Sequence, residues 1–283
     1  MNIGQRNPGL TARSKRSGGF SLVELMIAMV LGILVMGAAF AVFMSNQNTY
    51  RANEGLNRIQ ESARAAVELI SRDLRAAGGS ACSNLATMET TDANSVLLDR
   101  TPVFGDANEV TVVSGSELAY ATEASTPSSV TIAAGEIDLA SDAFAVGDVL
   151  VLCDAQKTFV ATATNASGRT VSFSPSATFH YPVSVMLGRF RSTRWFVDAN
   201  PRGGAGNSLF VSRAAGASEE VAEGVESIEF SYLEGGGFTA APVDWNNVAA
   251  VRMVLTLRAQ DTVEGETLER TVTSVANLRT RSL

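Results

Sequence analysis

Cysteine, proline and histidine are scarce in this chain of 283 residues, with two, seven and one of each. So few cysteines exclude a disulfide-dense scaffold, and 24 glycines and seven prolines within a 46% apolar composition exclude collagen-like and disordered classes. A single histidine, His180, with Cys82 and Cys153, cannot build a Cys/His zinc cage. Aromatics are modest at 13 Phe, 2 Trp and 4 Tyr, which suits one domain with appendages. Acids are missing from the first 19 residues, which hold Arg6, Arg13, Lys15 and Arg16. The remainder carries 18 basic against 29 acidic residues, a net of −11. That balance repels phosphate backbones and argues against nucleic acid as a partner.

Charge is also absent from Leu25 to Met44, a run of 20 residues. At about 1.5 Å per residue it reaches roughly 30 Å, the thickness of a bilayer core. A secretory signal needs a shorter apolar run and a small-x-small cleavage site, which Leu25–Ala38 followed by Ala39-Phe40-Ala41 could supply. A plain signal anchor explains the length and the basic flank, but neither Gly18-Gly19-Phe20 nor the acid at Glu24.

A third reading explains those residues. Gly18-Gly19-Phe20-Ser21-Leu22-Val23-Glu24-Leu25-Met26-Ile27-Ala28 resembles the type IV prepilin signature, in which a dedicated peptidase cuts after glycine and N-methylates the new first residue. The resemblance implies cleavage between Gly19 and Phe20 on the cytoplasmic side, with the apolar run kept as an anchor. Glycine leaves the scissile backbone unhindered, and the acid-free basic leader favours cytoplasmic retention. Glu24 has two readings: an interfacial acid that snorkels at a helix end, or the partner of the α-amine created at Phe20, in its own chain or in a neighbour. The resemblance favours the neighbour.

Beyond the apolar run, Ala52, Leu56, Ile59, Ala63, Ala66, Ile70, Leu74 and Ala77 recur at spacings of three and four, one helical stripe. Glu54 with Arg58 and Glu68 with Arg72 stand at i,i+4 with the acid first, as on an exposed helical face. No proline interrupts Phe20–Ala77, and Gly78-Gly79 supplies a stop. The expectation is a leader at 1–19, a helix over 20–77 with 25–44 spanning the membrane, and a β-rich domain over 78–283. The class is α+β, a long N-terminal helix packed by its second half against an antiparallel β body. Expected strands include Val96–Leu98, Val110–Ser114, Glu117–Thr122, Val149–Cys153, Phe159–Asn165, Val183–Phe190, Leu209–Ser212, Ser227–Tyr232, Val251–Arg258 and Thr267–Val275. Glycine-bearing turns separate several of them, as at Gly147-Asp148 and Ser167-Gly168.

Three further stretches narrow the resemblance: Asp73–Cys82, Val146–Asp154 and Leu278-Arg279-Thr280-Arg281 look like the PilW type of minor pilin. Thr280 stands where that family often has Asn. The rival is a J-type minor pseudopilin of type II secretion, and the two cysteines favour the pilus. A membrane-anchored β domain that binds a ligand is the reading from another class. The resemblance implies an inner-membrane anchor, a periplasmic body, processing by the prepilin peptidase/methyltransferase, and other minor and major pilins as partners. In an oxidising periplasm Cys82 and Cys153 are expected to form one disulfide.

No catalytic residue, cofactor or metal site is expected. Asp198-Ala199-Asn200-Pro201-Arg202-Gly203 begins like a calcium loop but has Arg202 at a ligand position, so it reads as a turn. Gly203-Gly204-Ala205-Gly206 lacks the Lys-Ser/Thr of a phosphate loop. Glu219, Glu220, Glu223 and Glu226 read as a solvated acidic face. His180 stands apart from any recognisable nucleophile motif. The chain reads as a substrate of processing, not an enzyme.

Overall fold

A computed structural model describes residues 19–82, 86–89, 92–177, 185–203, 206–213, 216–263 and 266–281. His180 and residues 1–18 lie outside them. One helix, α1, runs from Leu22 to Ala76. The chain divides into two units, residues 1–50 and 51–283. In the first, the described residues are one helical rod whose apolar side chains face outward: Leu25, Val30, Ile33, Val35, Met36 and Phe43 are all more than half exposed. This helix is the one among the described residues long and apolar enough to cross a membrane.

In the second unit the same helix buries a stripe. Ile59, Ala63, Ala66, Ile70, Leu74 and then Ala77 are all at most 5% exposed, at the spacing that keeps side chains on one helical face. Fully burying a Leu or Ile side chain contributes about 1.5–3 kcal/mol, so this stripe fastens the helix to the body. Glu54 and Arg58 form the expected pair at 2.7 Å. Arg72 instead reaches Glu117, 3.8 Å away, and is not paired with Glu68. A strand of the body offers an acid closer than the helix's own.

The body is built of strands, some short and some long. They are β1 (Thr87–Glu89), β2 (Val103–Gly105), β3 (Glu109–Thr126), β4 (Ser129–Ile132), β5 (Val149–Cys153), β6 (Lys157–Ser167) and β7 (Thr170–Ser174). After them come β8 (Met186–Ala199), β9 (Asn207–Arg213), β10 (Ser218–Glu223), β11 (Val225–Glu234), β12 (Gly237–Thr239), β13 (Ala250–Val263) and β14 (Glu266–Asn277). Among the described residues all pairings are antiparallel except β1 with β6. The sheet β12-β11-β13-β14 packs its inner side chains, among them Phe230, Tyr232, Met253 and Leu255, into the same core as the helical stripe.

The other sheet closes on itself. Strand β3 pairs with β4, β4 with β7, β7 with β6, β6 with β5, β5 with β8, and β8 returns to β3. The resulting six-stranded ring encloses a second core that includes Ile132, Phe144, Leu152, Phe159, Phe173 and Leu187. Closure removes unpaired edges. Both long strands serve two layers. The first part of β3, Glu109–Gly115, pairs with the second part of β8, Phe190–Phe196, and contributes Val110, Val112 and Trp195 to the helical core. A register shift between Gly115 and Ala119 then redirects β3 into the ring.

Three expectations are corrected. Val96–Leu98 is not a strand but lies in a short helix, α2, Ala93–Asp99. Asp92 and Ser95 form a reciprocal capping box there, Ser95 N–H donating to Asp92 Oδ1 at 2.8 Å and Asp92 N–H to Ser95 Oγ at 3.0 Å, and Leu98 buries completely. Local capping outweighs the preference of Val96 for strands. Val110–Ser114 and Glu117–Thr122 belong to one bent strand. Glu219–Glu226 is not a uniformly solvated face. Ser218–Glu223 is an edge strand, in which the Glu220 side chain is only 13% exposed and lies 3.1 Å from Arg202. The Asp198–Gly203 segment ends β8 and turns at Asn200–Gly203, in keeping with the expected turn: Asn200 Oδ1 accepts from Arg202 N–H at 2.9 Å, and the Arg202 guanidinium pairs with Glu220 and Glu223.

Candidate functional site

The segment Gly19–Glu24 is open to an incoming enzyme. Gly19 has no atom within 4 Å of where a Cβ would stand, and Phe20 is 81% exposed. The helix begins two residues later, its first backbone bond running from Leu25 N–H to Ser21 C=O at 3.1 Å. The Gly19–Phe20 bond therefore lies in non-helical chain, the form a protease needs. Glu24 occupies the first turn of α1 and is exposed, with no ion-pair partner among the described residues. A carboxylate there is favoured by the partial positive charge of the helix N-terminus. From there a helical surface of exposed Leu, Ile, Val, Met and Phe continues to Met44. In water such a surface is unfavourable by about 25 cal/mol per Å², so it requires lipid or other helices.

The opposite end of α1 is pinned by contacts that residue spacing alone does not reveal. Gly78 has φ +69°, and its N–H donates to Val113 C=O on β3 at 2.8 Å. Gly115 N–H donates to Gly79 C=O at 2.7 Å, and Thr280 Oγ1 to Ala77 C=O at 3.2 Å. A Cβ on Gly78 would sit 3.1–3.3 Å from Thr280, Leu98 and Pro102, so both the space and the backbone conformation call for glycine. Thr280, which departs from the resembled family's Asn, thus closes an orphan carbonyl at the helix end.

Cys82 is bonded to Cys153, with Cα atoms 5.9 Å apart. The bridge joins the segment after α1 to β5 of the ring and spans 71 residues. A second buried tie is polar. Trp195 Nε1–H donates to Asp73 Oδ2 at 3.0 Å, linking the last turns of α1 to β8. Burial raises the Asp73 carboxyl above its ordinary range, and the Trp195 hydrogen bond with the fields of Arg191 and Arg72 works against that rise. Tyr232 donates to Asp106 C=O at 2.9 Å, and burial, aided by the Asp106 and Glu109 charges, pushes its phenol far above the usual range. Glu123, by contrast, is exposed and lowered by its bond to Arg169, 2.7 Å away.

The structure brings together Cys82 and Cys153. It keeps Gly19, Phe20 and Glu24 in one exposed run. The Asp73–Trp195 pair and the role of Thr280 were not anticipated, and only an acid within the buried stripe of α1 hinted at the first. Residues 14–40 match the family described as the prokaryotic N-terminal methylation motif. No curated protein and no solved structure matches the chain. A match over residues 14–40, an apolar helix able to span a membrane and a disulfide-bonded β body fit a membrane-anchored protein of the pilin or pseudopilin type.

Proposed function

We propose that this protein is a minor pilin of the PilW type, which helps to initiate, prime or cap a type IV pilus from the inner membrane. The observation that carries the reading is the methylation motif running directly into an exposed apolar helix. In this reading the prepilin peptidase/methyltransferase cuts after Gly19 and methylates Phe20, and the helix passes from lipid into a filament of minor and major pilins. Glu24 neutralises the α-amine of a neighbouring subunit's Phe20. In a low-dielectric bundle that amine is costly without a carboxylate. The β body, held by Cys82–Cys153, stands in the periplasm, where the disulfide is kept oxidised. The chain has no catalytic role in this scheme.

Intact mass and N-terminal sequencing of the full-length protein purified from its own membranes test it. The expected mature chain starts at N-methylated Phe20 and is recovered with sheared pili. A start at Val42, just after Ala41, means that a signal peptidase removed the anchor and ends the filament reading. Recovery with a secretion pseudopilus, and not with pili, replaces the pilus by the J-type pseudopilin role.

A further inference from the structure

Beside the buried stripe of α1 runs a groove of about 430 Å³ between the helix and β14. Ala63 and Val67 of the helix and Val272 of the strand give it an apolar floor. Arg64, Arg75 and Arg270 line it, all exposed and none in an ion pair among the described residues. Glu68 is the one acid among its described lining residues, so this groove is locally positive on a chain of net charge −7. Ser71 also lines it, 2% exposed, with a hydroxyl that has no hydrogen-bond partner. A buried hydroxyl without a partner is costly. The groove therefore holds a polar group that awaits one from outside.

The strand that walls the groove is also incomplete. β14 ends its four-stranded sheet, with β13 on one side and no described strand on the other. Alternate N–H and C=O groups along it face outward, which is the template for strand addition. Arginines can serve merely to keep such an edge from self-association, but that role needs them on the strand. Arg64 and Arg75 stand on the helix across the groove, and a partnerless Ser71 hydroxyl does nothing to block an edge.

We infer that the groove and the β14 edge receive an extended acidic segment of a partner protein as a fifth strand. Its main chain pairs with β14. Its inward side chains, carboxylates at alternate positions, meet Arg64, Arg75 and Arg270, and one acceptor takes the Ser71 hydroxyl. The charge excess selects an acidic strand, and the sheet edge selects a peptide over a phosphate polymer. The inference goes beyond the filament reading and does not depend on it, since every lining residue lies in the unit that begins at Arg51.

The test uses the full-length protein in detergent micelles and a blocked decapeptide alternating threonine and glutamate. Binding should protect alternate amides of Thr267–Val275 from hydrogen exchange. It should weaken at least about tenfold in R64E/R75E/R270E, and measurably in R270E alone should the triple variant lose its fold. Ser71→Ala should leave thermal stability unchanged or raised and still weaken the peptide. The same peptide N-methylated along one edge should not bind, because it cannot complete the ladder. The inference is overturned by binding without protection of β14, by equal competition from inorganic polyphosphate, by indifference to the arginine reversals, or by no binding near 1 mM, an affinity of about −4 kcal/mol.

Discussion

The two halves of α1 make the same secondary structure for opposite purposes. Between Leu25 and Met44 the helix is apolar on every side, and its large apolar side chains stay exposed. Between Arg51 and Ala76 only one stripe is apolar, and it is buried while Arg58, Arg72 and Arg75 face water. A helix apolar all round must be solvated by lipid or other helices, whereas a striped helix is completed by its own chain. The first half therefore advertises contacts with something else, and the second half has already made its own.

That contrast can be broken most severely at its charged start. If Glu24 pairs with the amine of a neighbour, Glu24→Gln keeps cleavage and insertion but abolishes co-purification with partner pilins and collapses pilus yield. Removing one member of a buried ion pair costs about 3–5 kcal/mol. Wild-type levels of both would make Glu24 an interfacial acid only.

Next in size is the bridge. Replacing Cys82 and Cys153 by serine releases a 71-residue loop and should destabilise the second unit by about 4 kcal/mol in the chain-entropy picture, read from denaturant midpoints. Leu74→Ala, in the fully buried stripe, should lose about 2–5 kcal/mol in the same assay. A loss under 1 kcal/mol would mean the helix is not clamped by this core.

Trp195→Phe leaves the buried Asp73 carboxylate without its donor and should cost about 1–3 kcal/mol at neutral pH. Asp73 also predicts a pH slope. Its carboxyl is raised in the folded state, so the fold binds that proton more tightly than the unfolded chain does. The stability it contributes is present below the ordinary value of 3.8 and is lost as pH rises through the folded value. Asp73→Asn should flatten that part of the stability profile, measured by urea unfolding across the acidic range. The smallest effect is expected from Val35→Ala, whose side chain is 68% exposed. Unfolding of the second unit should not move beyond about 0.5 kcal/mol, and a larger shift would show that the first half of the helix does take part in folding the body.

Much of this was legible because it rests on local periodicity and chemistry. The stripe from Ile59 to Ala77 is a matter of spacing, and it predicted both the helix and its buried face. The strand Val149–Cys153 alternates and branches clearly enough to be placed to the residue. Val96–Leu98 misled because three apolar residues fit either a strand or a helix face, and the deciding cap, Asp92 with Ser95, lay upstream. Strand β10 was missed for the opposite reason. Ser-Glu-Glu-Val-Ala-Glu looks solvated until Arg202, brought in by the preceding turn, neutralises two of its acids.

The sequence by itself determined the cut site signature, the apolar span, the helical stripe and the existence of a β-rich body, since each depends on residues close together in the chain. Only the tertiary structure decided that six strands close into a ring, that Trp195 meets Asp73 across 122 residues, that Thr280 caps the carbonyl of Ala77 and that an arginine-lined groove lies open beside β14. These depend on which distant strands become neighbours. That choice is set by the summed burial of two cores and not by any one segment's preference.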